Sequence, residues 1–234
     1  MKAVLVGENR SLHWSNVPDP IVGAEDVLVK IEAAALNRAD LMQREGDYPP
    51  PQGCPEWMGL EIAGTIVEVG PEVAEKSNWK IGDKVCALLG GGGYAEYANV
   101  KYDMLMPIPE NCSMVEAAAI PEAFATAYLN LFIEGKIQPG NTLLMIAAMA
   151  GPKTEIDLVN IFKRNVRIVG STLRSRTPQV KAEILASLVR DVWPKVATGE
   201  VKPTIYKTLP ITEAEAAYDI LYRGENVGKV VLTV

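Results

Sequence analysis

Alternating apolar and polar positions dominate the first hundred residues. Lys2–Val6 alternates and carries β-branched side chains. Asp26–Ala33 puts Val27, Val29 and Ile31 on one face, with Lys30 and Glu32 on the other. Glu61–Val69 reads as a longer strand with a bulge or bend at Gly64. Lys84–Leu89 and Tyr94–Val100 flank the run Gly90–Gly93, and Gly82-Asp83 supplies a turn. Short strands punctuated by Gly and Pro predict a barrel or sandwich. One helix, Asn37–Glu45, interrupts them and ends at Gly46.

Beyond residue 112 the spacing becomes helical. Ser113 and Glu116 form a capping box before a short helix. Pro121–Glu134 carries Phe124, Tyr128, Leu131 and Phe132 at helical spacing, and Gly135 closes it. Thr142–Ala147 and Asn165–Val169 read as strands, with a helix Glu155–Phe162 capped by Thr154 between them. Thr177-Pro178 opens a helix whose stripe is Val180, Ile184, Leu185, Leu188, Val189 and Val192. Thr212 and Glu215 form a second capping box, opening a helix to about Tyr222, and Gly228–Val234 ends as a strand. A dinucleotide-binding open sheet needs about six parallel strands. This stretch offers two.

Composition removes whole classes of function. The 234 residues carry a net charge of −6, so no basic surplus exists for nucleic acid. No apolar run reaches membrane-spanning length, and MKAVLVGENR lacks a signal-peptide core. The expectation is a cytoplasmic protein without a membrane or nucleic-acid partner. Cys54, Cys86 and Cys112 are widely spaced and odd in number, which argues for reduced, buried thiols rather than a disulfide framework. The only histidine, His13, reads as an exposed or edge-strand residue. A metal site or a histidine-based triad therefore lacks its parts. Gly90–Gly93 lacks the Lys-Ser/Thr and the helix of a phosphate loop.

Six segments, in order, carry a resemblance. They are Ala35–Tyr48 (ALNRADLMQREGDY), Gly59–Gly70 (GLEIAGTIVEVG), Gly82–Val85, Gly92–Tyr97, Ala117–Pro121 and Gly228–Leu232. Together they resemble the zinc-independent quinone oxidoreductases (zeta-crystallin-like) of the medium-chain dehydrogenase/reductase superfamily. Leu60 stands where zinc-dependent members have a histidine, in keeping with no metal. The resemblance implies a β-rich α+β fold: a GroES-like β-barrel catalytic domain over 1–119 and 203–234, and a truncated α/β (Rossmann) remnant over 120–202. The family's glycine-rich phosphate turn has no counterpart, since the chain reads Ala147-Ala-Met-Ala-Gly151-Pro152. An internal deletion between about Ala147 and Gly151, natural or engineered, accounts for this.

The family's activity is NADPH-dependent, metal-free hydride transfer to quinones. With the phosphate turn missing, NADPH binding and turnover are expected to be impaired. The alternatives are a non-enzymatic, dimerising or regulatory chain, and a cofactor-free binder of a small carbonyl compound. By the resemblance, Tyr48 is the catalytic candidate, donating to the quinone oxygen, and Asn37, Asp40, Thr126 and Lys229 line the cofactor cleft. The residues alone also allow plainer roles. Asn37 can cap its helix, Asp40 can pair with Arg44, Tyr48 can pack before Pro49–Pro51, Thr126 can bond its i−4 carbonyl, and Lys229 can be solvated. A homodimer through the remnant, using Asn165–Ser171, is expected. Alternatively, Glu155–Phe162 and Thr177–Val196 fold back over the barrel.

Overall fold

The computed structural model describes residues 1–142, 153–164 and 166–234. Its strands are β1 (Lys2–Val6), β2 (Leu12–Asn16), β3 (Asp26–Ala35), β4 (Glu61–Val69), β5 (Lys84–Leu88), β6 (Tyr97–Lys101), β7 (Leu105–Pro107), β8 (Ile205–Pro210) and β9 (Lys229–Thr233). The helices are α1 (Arg38–Glu45), α2 (Val73–Lys76), α3 (Met114–Ala118), α4 (Pro121–Tyr128), α5 (Leu158–Lys163), α6 (Pro178–Asp191), α7 (Trp193–Ala197) and α8 (Ala214–Arg223).

Strand β3 is the hub. It pairs with β4 along one edge, and with β6 and then β9 along the other. The main sheet runs β7-β5-β4-β3-β9-β8, and all its pairings are antiparallel except β8 with β9. β1 and β2 form a separate hairpin. The expected barrel is corrected here, because among the described residues the sheet is open from β7 to β8.

One extra residue lets this sheet feed two cores. The register of β3 against β4 slips between Ile31 and Ala33, leaving Glu32 as the additional residue opposite Gly64 and Ala63. Val27, Val29 and Ile31 face a core shared with the hairpin and α8, whereas Ala33 and Ala35 face the opposite core. A one-residue slip reverses which face a side chain meets. The bend expected at Gly64 is present, with the inserted residue on the partner strand. Gly64 is needed there, since a Cβ would stand 2.0 Å from the Lys30 carbonyl oxygen.

The second core is built from small sheet residues, Ala33, Ala35, Ala63 and Cys86. They let α3, α4, α6 and α7 approach closely, and Ile184, Leu185 and Leu188 of α6 are buried against them. The expected fold-back is thus seen for Thr177–Val196. It is not seen for α5, whose Leu158 and Val159 remain exposed.

Several local expectations change. Asp157, not Thr154, caps α5: its Oδ1 accepts the Val159 and Asn160 N–H groups at 2.9 and 3.2 Å. The segment 166–170 is not a strand. Thr212 lies in a 3-10 turn and Glu215 makes no capping bond, because its carboxylate accepts from Arg44 and from the Leu12 N–H. Strand positions 143–147 and the proposed junction at Ala147–Gly151 lie outside the described residues. Of the cysteines, Cys86 is buried while Cys54 and Cys112 are half-buried, and all three are free.

Candidate functional site

The C-terminal end of β3 and the starts of β9 and β4 converge beside α1 and α4. Two charged side chains and an amide, Glu61, Lys229 and Asn37, meet there. Glu61, the first residue of β4, has no solvent exposure. Its Oε1 accepts from Lys229 Nζ at 2.5 Å and from Asn37 Nδ2 at 2.9 Å. Its Oε2 accepts the Glu122 N–H at 2.9 Å, which caps the otherwise uncapped start of α4. Lys229 donates also to Asn37 Oδ1 at 2.6 Å and to the Leu36 carbonyl at 3.2 Å. All three ammonium protons therefore have acceptors, as the burial of an ion pair requires.

Asp40 anchors a second layer. It is 1% exposed and accepts from the Asn37 N–H at 2.7 Å, the Tyr94 hydroxyl at 2.7 Å and the Gly59 N–H at 3.2 Å. Burial raises its pKa to about 6, against the opposing pull of the Tyr94 hydrogen bond. Gly59 allows this approach: its φ is +108°, and a Cβ would fall 2.5 Å from the Gly93 backbone. Burial of the Glu122 carboxyl, with repulsion from Glu61 second, lifts that group to about 7.

Tyr48 stands apart from this network. It lines a small cavity with Leu60, Leu88, Glu122, Arg174 and Lys181. The cavity measures about 20 Å³, room for little more than one water molecule. The Arg174 guanidinium lies over the Tyr48 ring, 4.0 Å from its centroid, and Nη2 reaches the Gly90 carbonyl at 3.3 Å. Arg174 Nη1 is shielded from solvent and has no hydrogen-bond partner among the described residues. Lys181 donates to the Arg174 carbonyl at 2.9 Å, and burial lowers its pKa.

The structure thus brings Asn37, Asp40 and Lys229 together and leaves Tyr48 across the cavity. The simpler roles fare unevenly. Asn37 is the N-cap of α1, its N–H held by the Asp40 carboxylate, and its side chain also serves Glu61 and Lys229. Asp40 does not meet Arg44, whose partners are Glu215 at 2.6 Å and the Tyr218 ring. Thr126 reaches the Glu122 carboxylate at 3.5 Å instead of a backbone carbonyl. Lys229 is only 17% exposed. Sequence reasoning passed over Glu61, Tyr94, Glu122, Arg174 and Lys181. Glu61 carried a signal, a carboxylate directly before the apolar residues Ile62 and Ala63 of its strand. Arg174 carried none.

Among the described residues no three His, Cys, Asp or Glu side chains gather as metal ligands. Burial raises the pKa of all three cysteine thiols, which leaves them unactivated.

Fold and site together define an alcohol-dehydrogenase-like chain with a GroES-like domain. Residues 23–110 match the family model described as the alcohol dehydrogenase GroES-like domain, and residues 124–232 match the zinc-binding dehydrogenase model. The chain belongs to the medium-chain dehydrogenase/reductase superfamily. It is 36% identical over 132 residues to the zebrafish (Danio rerio) synaptic vesicle membrane protein VAT-1 homolog, covering 56% of this chain and 27% of that protein. It is 32% identical over 158 residues to the Nematostella vectensis quinone oxidoreductase-like protein 2 homolog, covering 66% and 42%. The crystal structure of the human VAT-1 homolog-like protein superposes with a TM-score of 0.81 at 20% identity, covering 100% of this chain and 98% of that one. The chain spans less than half the length of the curated relatives it matches. Among the described residues no helix is long and apolar enough to cross a membrane.

Proposed function

We propose that this chain is a metal-free relative of the quinone oxidoreductases in which NADPH binding and turnover are absent or much reduced. The arrangement around Tyr48 carries the reading. A nicotinamide ring does not fit a cavity of about 20 Å³ roofed by Arg174. Asn37 and Lys229, two of the candidates for lining the cofactor cleft, hydrogen-bond to Glu61 and to each other. No hydride-transfer step is therefore derived through NADPH. Tyr48 remains the group able to donate to a carbonyl oxygen. Leu60 in place of a histidine supports zinc independence, and three free cysteines support a cytoplasmic setting.

Calorimetric titration with NADPH, alongside quinone turnover on the same folded sample, tests this. The expected result is no saturable binding up to about 1 mM NADPH. Micromolar binding with turnover would establish a working reductase and overturn the proposal.

One observation favours the non-enzymatic reading. Phe132, Leu158, Val159 and Ile168 are each more than half exposed, and all four lie in the proposed remnant. A homodimer through the remnant would cover them. Sedimentation equilibrium checks it, and a monomer at every accessible concentration would remove it.

A further inference from the structure

We propose that residues 158–172 form a docking surface for an anionic lipid bilayer, which the chain meets peripherally, without crossing it. The proposal goes beyond the readings above, holds whether or not NADPH binds, and competes with the homodimer for Leu158, Val159 and Ile168.

The charge of this stretch is opposite to that of the chain. It carries Lys163, Arg164 and Arg167 and not one of the 29 Asp and Glu residues, in a chain of net charge −6. The net charge describes the whole chain and averages this segment away. Lys76, Arg176 and Arg190 elsewhere find carboxylate partners, whereas among the described residues none of these three cations forms an ion pair. The acidic residue just before the stretch, Asp157, is committed to α5 through both oxygens. Its Oδ1 accepts from the Val159 and Asn160 N–H groups, and its Oδ2 from Asn160 Nδ2.

The same stretch exposes aliphatic side chains that neither core takes up. Leu158 is 60% and Ile168 66% exposed, with Val159, Val166 and Val169 also open to solvent. Of the described residues from 153 to 172, all but Ile161 are exposed, and none belongs to either core. Aliphatic surface left in water is unfavourable in proportion to its area.

The two features together select the partner. Nucleic acid would use the cations and leave the aliphatic groups wet. A second copy related by a two-fold axis would bring the same cations of both chains to one interface, like charge near like. A strand partner finds no ladder, because 166–170 is not a strand. An anionic bilayer takes both features: its headgroups meet the cations, and the aliphatic side chains enter the boundary with the acyl chains. The irregular backbone then stays at headgroup level, where water satisfies its polar groups. At a Debye length of about 10 Å in 0.1 M salt, the acidic surplus elsewhere on the chain is screened and the contacting cations are not.

The test co-sediments the whole chain, without cofactor, with vesicles of phosphatidylcholine containing about 30% phosphatidylserine, and with pure phosphatidylcholine, at about 0.1 M salt. More than half of the chain should pellet at about 1 mM anionic-vesicle lipid, with partition onto the neutral vesicles at least about tenfold weaker. The double variant Arg164→Gln with Arg167→Gln should weaken partition by about 25-fold, about fivefold for each cation. Ile168→Ser should weaken it by about threefold or more. Lys80→Gln and Ile21→Ser, at exposed positions elsewhere, leave it unchanged. Circular dichroism and thermal unfolding establish that each variant folds. Should one not fold, the parent chain at about 0.5 M salt decides, since its partition should fall by about tenfold or more.

Less than half bound at about 1 mM lipid, equal partition onto neutral vesicles, or a double variant that binds like the parent would each overturn the proposal. So would a chain that is dimeric in sedimentation equilibrium and leaves the vesicles unbound, or tighter binding to a short DNA duplex than to anionic vesicles. NADPH turnover in a chain that binds vesicles would remove the proposed loss of activity and leave this surface standing.

Discussion

Two lysines, Lys229 and Lys181, define two regions with opposite chemistry. Lys229 has every donor satisfied and faces a carboxylate with no exposure. Lys181 has one carbonyl partner, no ion pair among the described residues, and a pKa lowered by burial. The first region is closed on itself. It ties β3, β4, β9, α1 and α4 together, and nothing in it is left to recognise a ligand. The second is open in hydrogen-bonding terms although nearly closed in space. A buried charge that is satisfied contributes to fold specificity, whereas one that is not marks a place for a water molecule.

The largest test of that contrast is to break the closed region. Lys229→Met strands Glu61 as a buried carboxylate without its cation, and should lower stability by about 3–5 kcal/mol in denaturant unfolding. The double variant with Glu61→Gln should recover much of the loss. An unchanged midpoint in the single variant would show that Glu61 does not depend on the pair.

Acidity gives an effect of intermediate size. Glu122 has a pKa of about 7 in the folded chain, raised from 4.5. The folded state therefore binds its proton more tightly than the unfolded state does. That contribution to stability is full below about pH 4.5 and is lost as pH rises through about 7, amounting to about 3 kcal/mol. Asp40 acts in the same direction between 3.8 and about 6. Glu122→Gln should flatten the profile between about pH 4.5 and 7, most distinctly above about pH 6 where Asp40 no longer contributes. An unchanged profile in that variant would contradict the assignment.

The smallest effect on stability belongs to the open region. Arg174→Gln removes a stacking contact and one carbonyl bond, and should cost about 1 kcal/mol or less. A loss as large as that of Lys229→Met would make Arg174 a structural residue and erase the contrast.

Much of the secondary structure was legible. α1 ends at Gly46 in the left-handed region, α3 starts in a true Ser113/Glu116 capping box, and Thr177-Pro178 opens α6, as their spacing implies. β7 and β8 were not seen. β7 is only three residues long, and β8 has a single buried residue, so neither has a pattern strong enough to register. Of the site, Asn37, Asp40 and Lys229 were found through family motifs, while their partners Glu61 and Tyr94 were not, since a carboxylate's burial cannot be read from its neighbours in the chain.

The sequence by itself determined many of the local elements and the membership of the superfamily, because these depend on residue identity and spacing over short stretches. Tertiary structure alone decided that Glu32 switches β3 from one core to the other, and that Lys229, 192 and 168 positions from Asn37 and Glu61, closes on them as one network. It also decided that Arg174 covers Tyr48. Those contacts join segments far apart in the chain, and their energies depend on burial and on geometry, which only the folded packing sets.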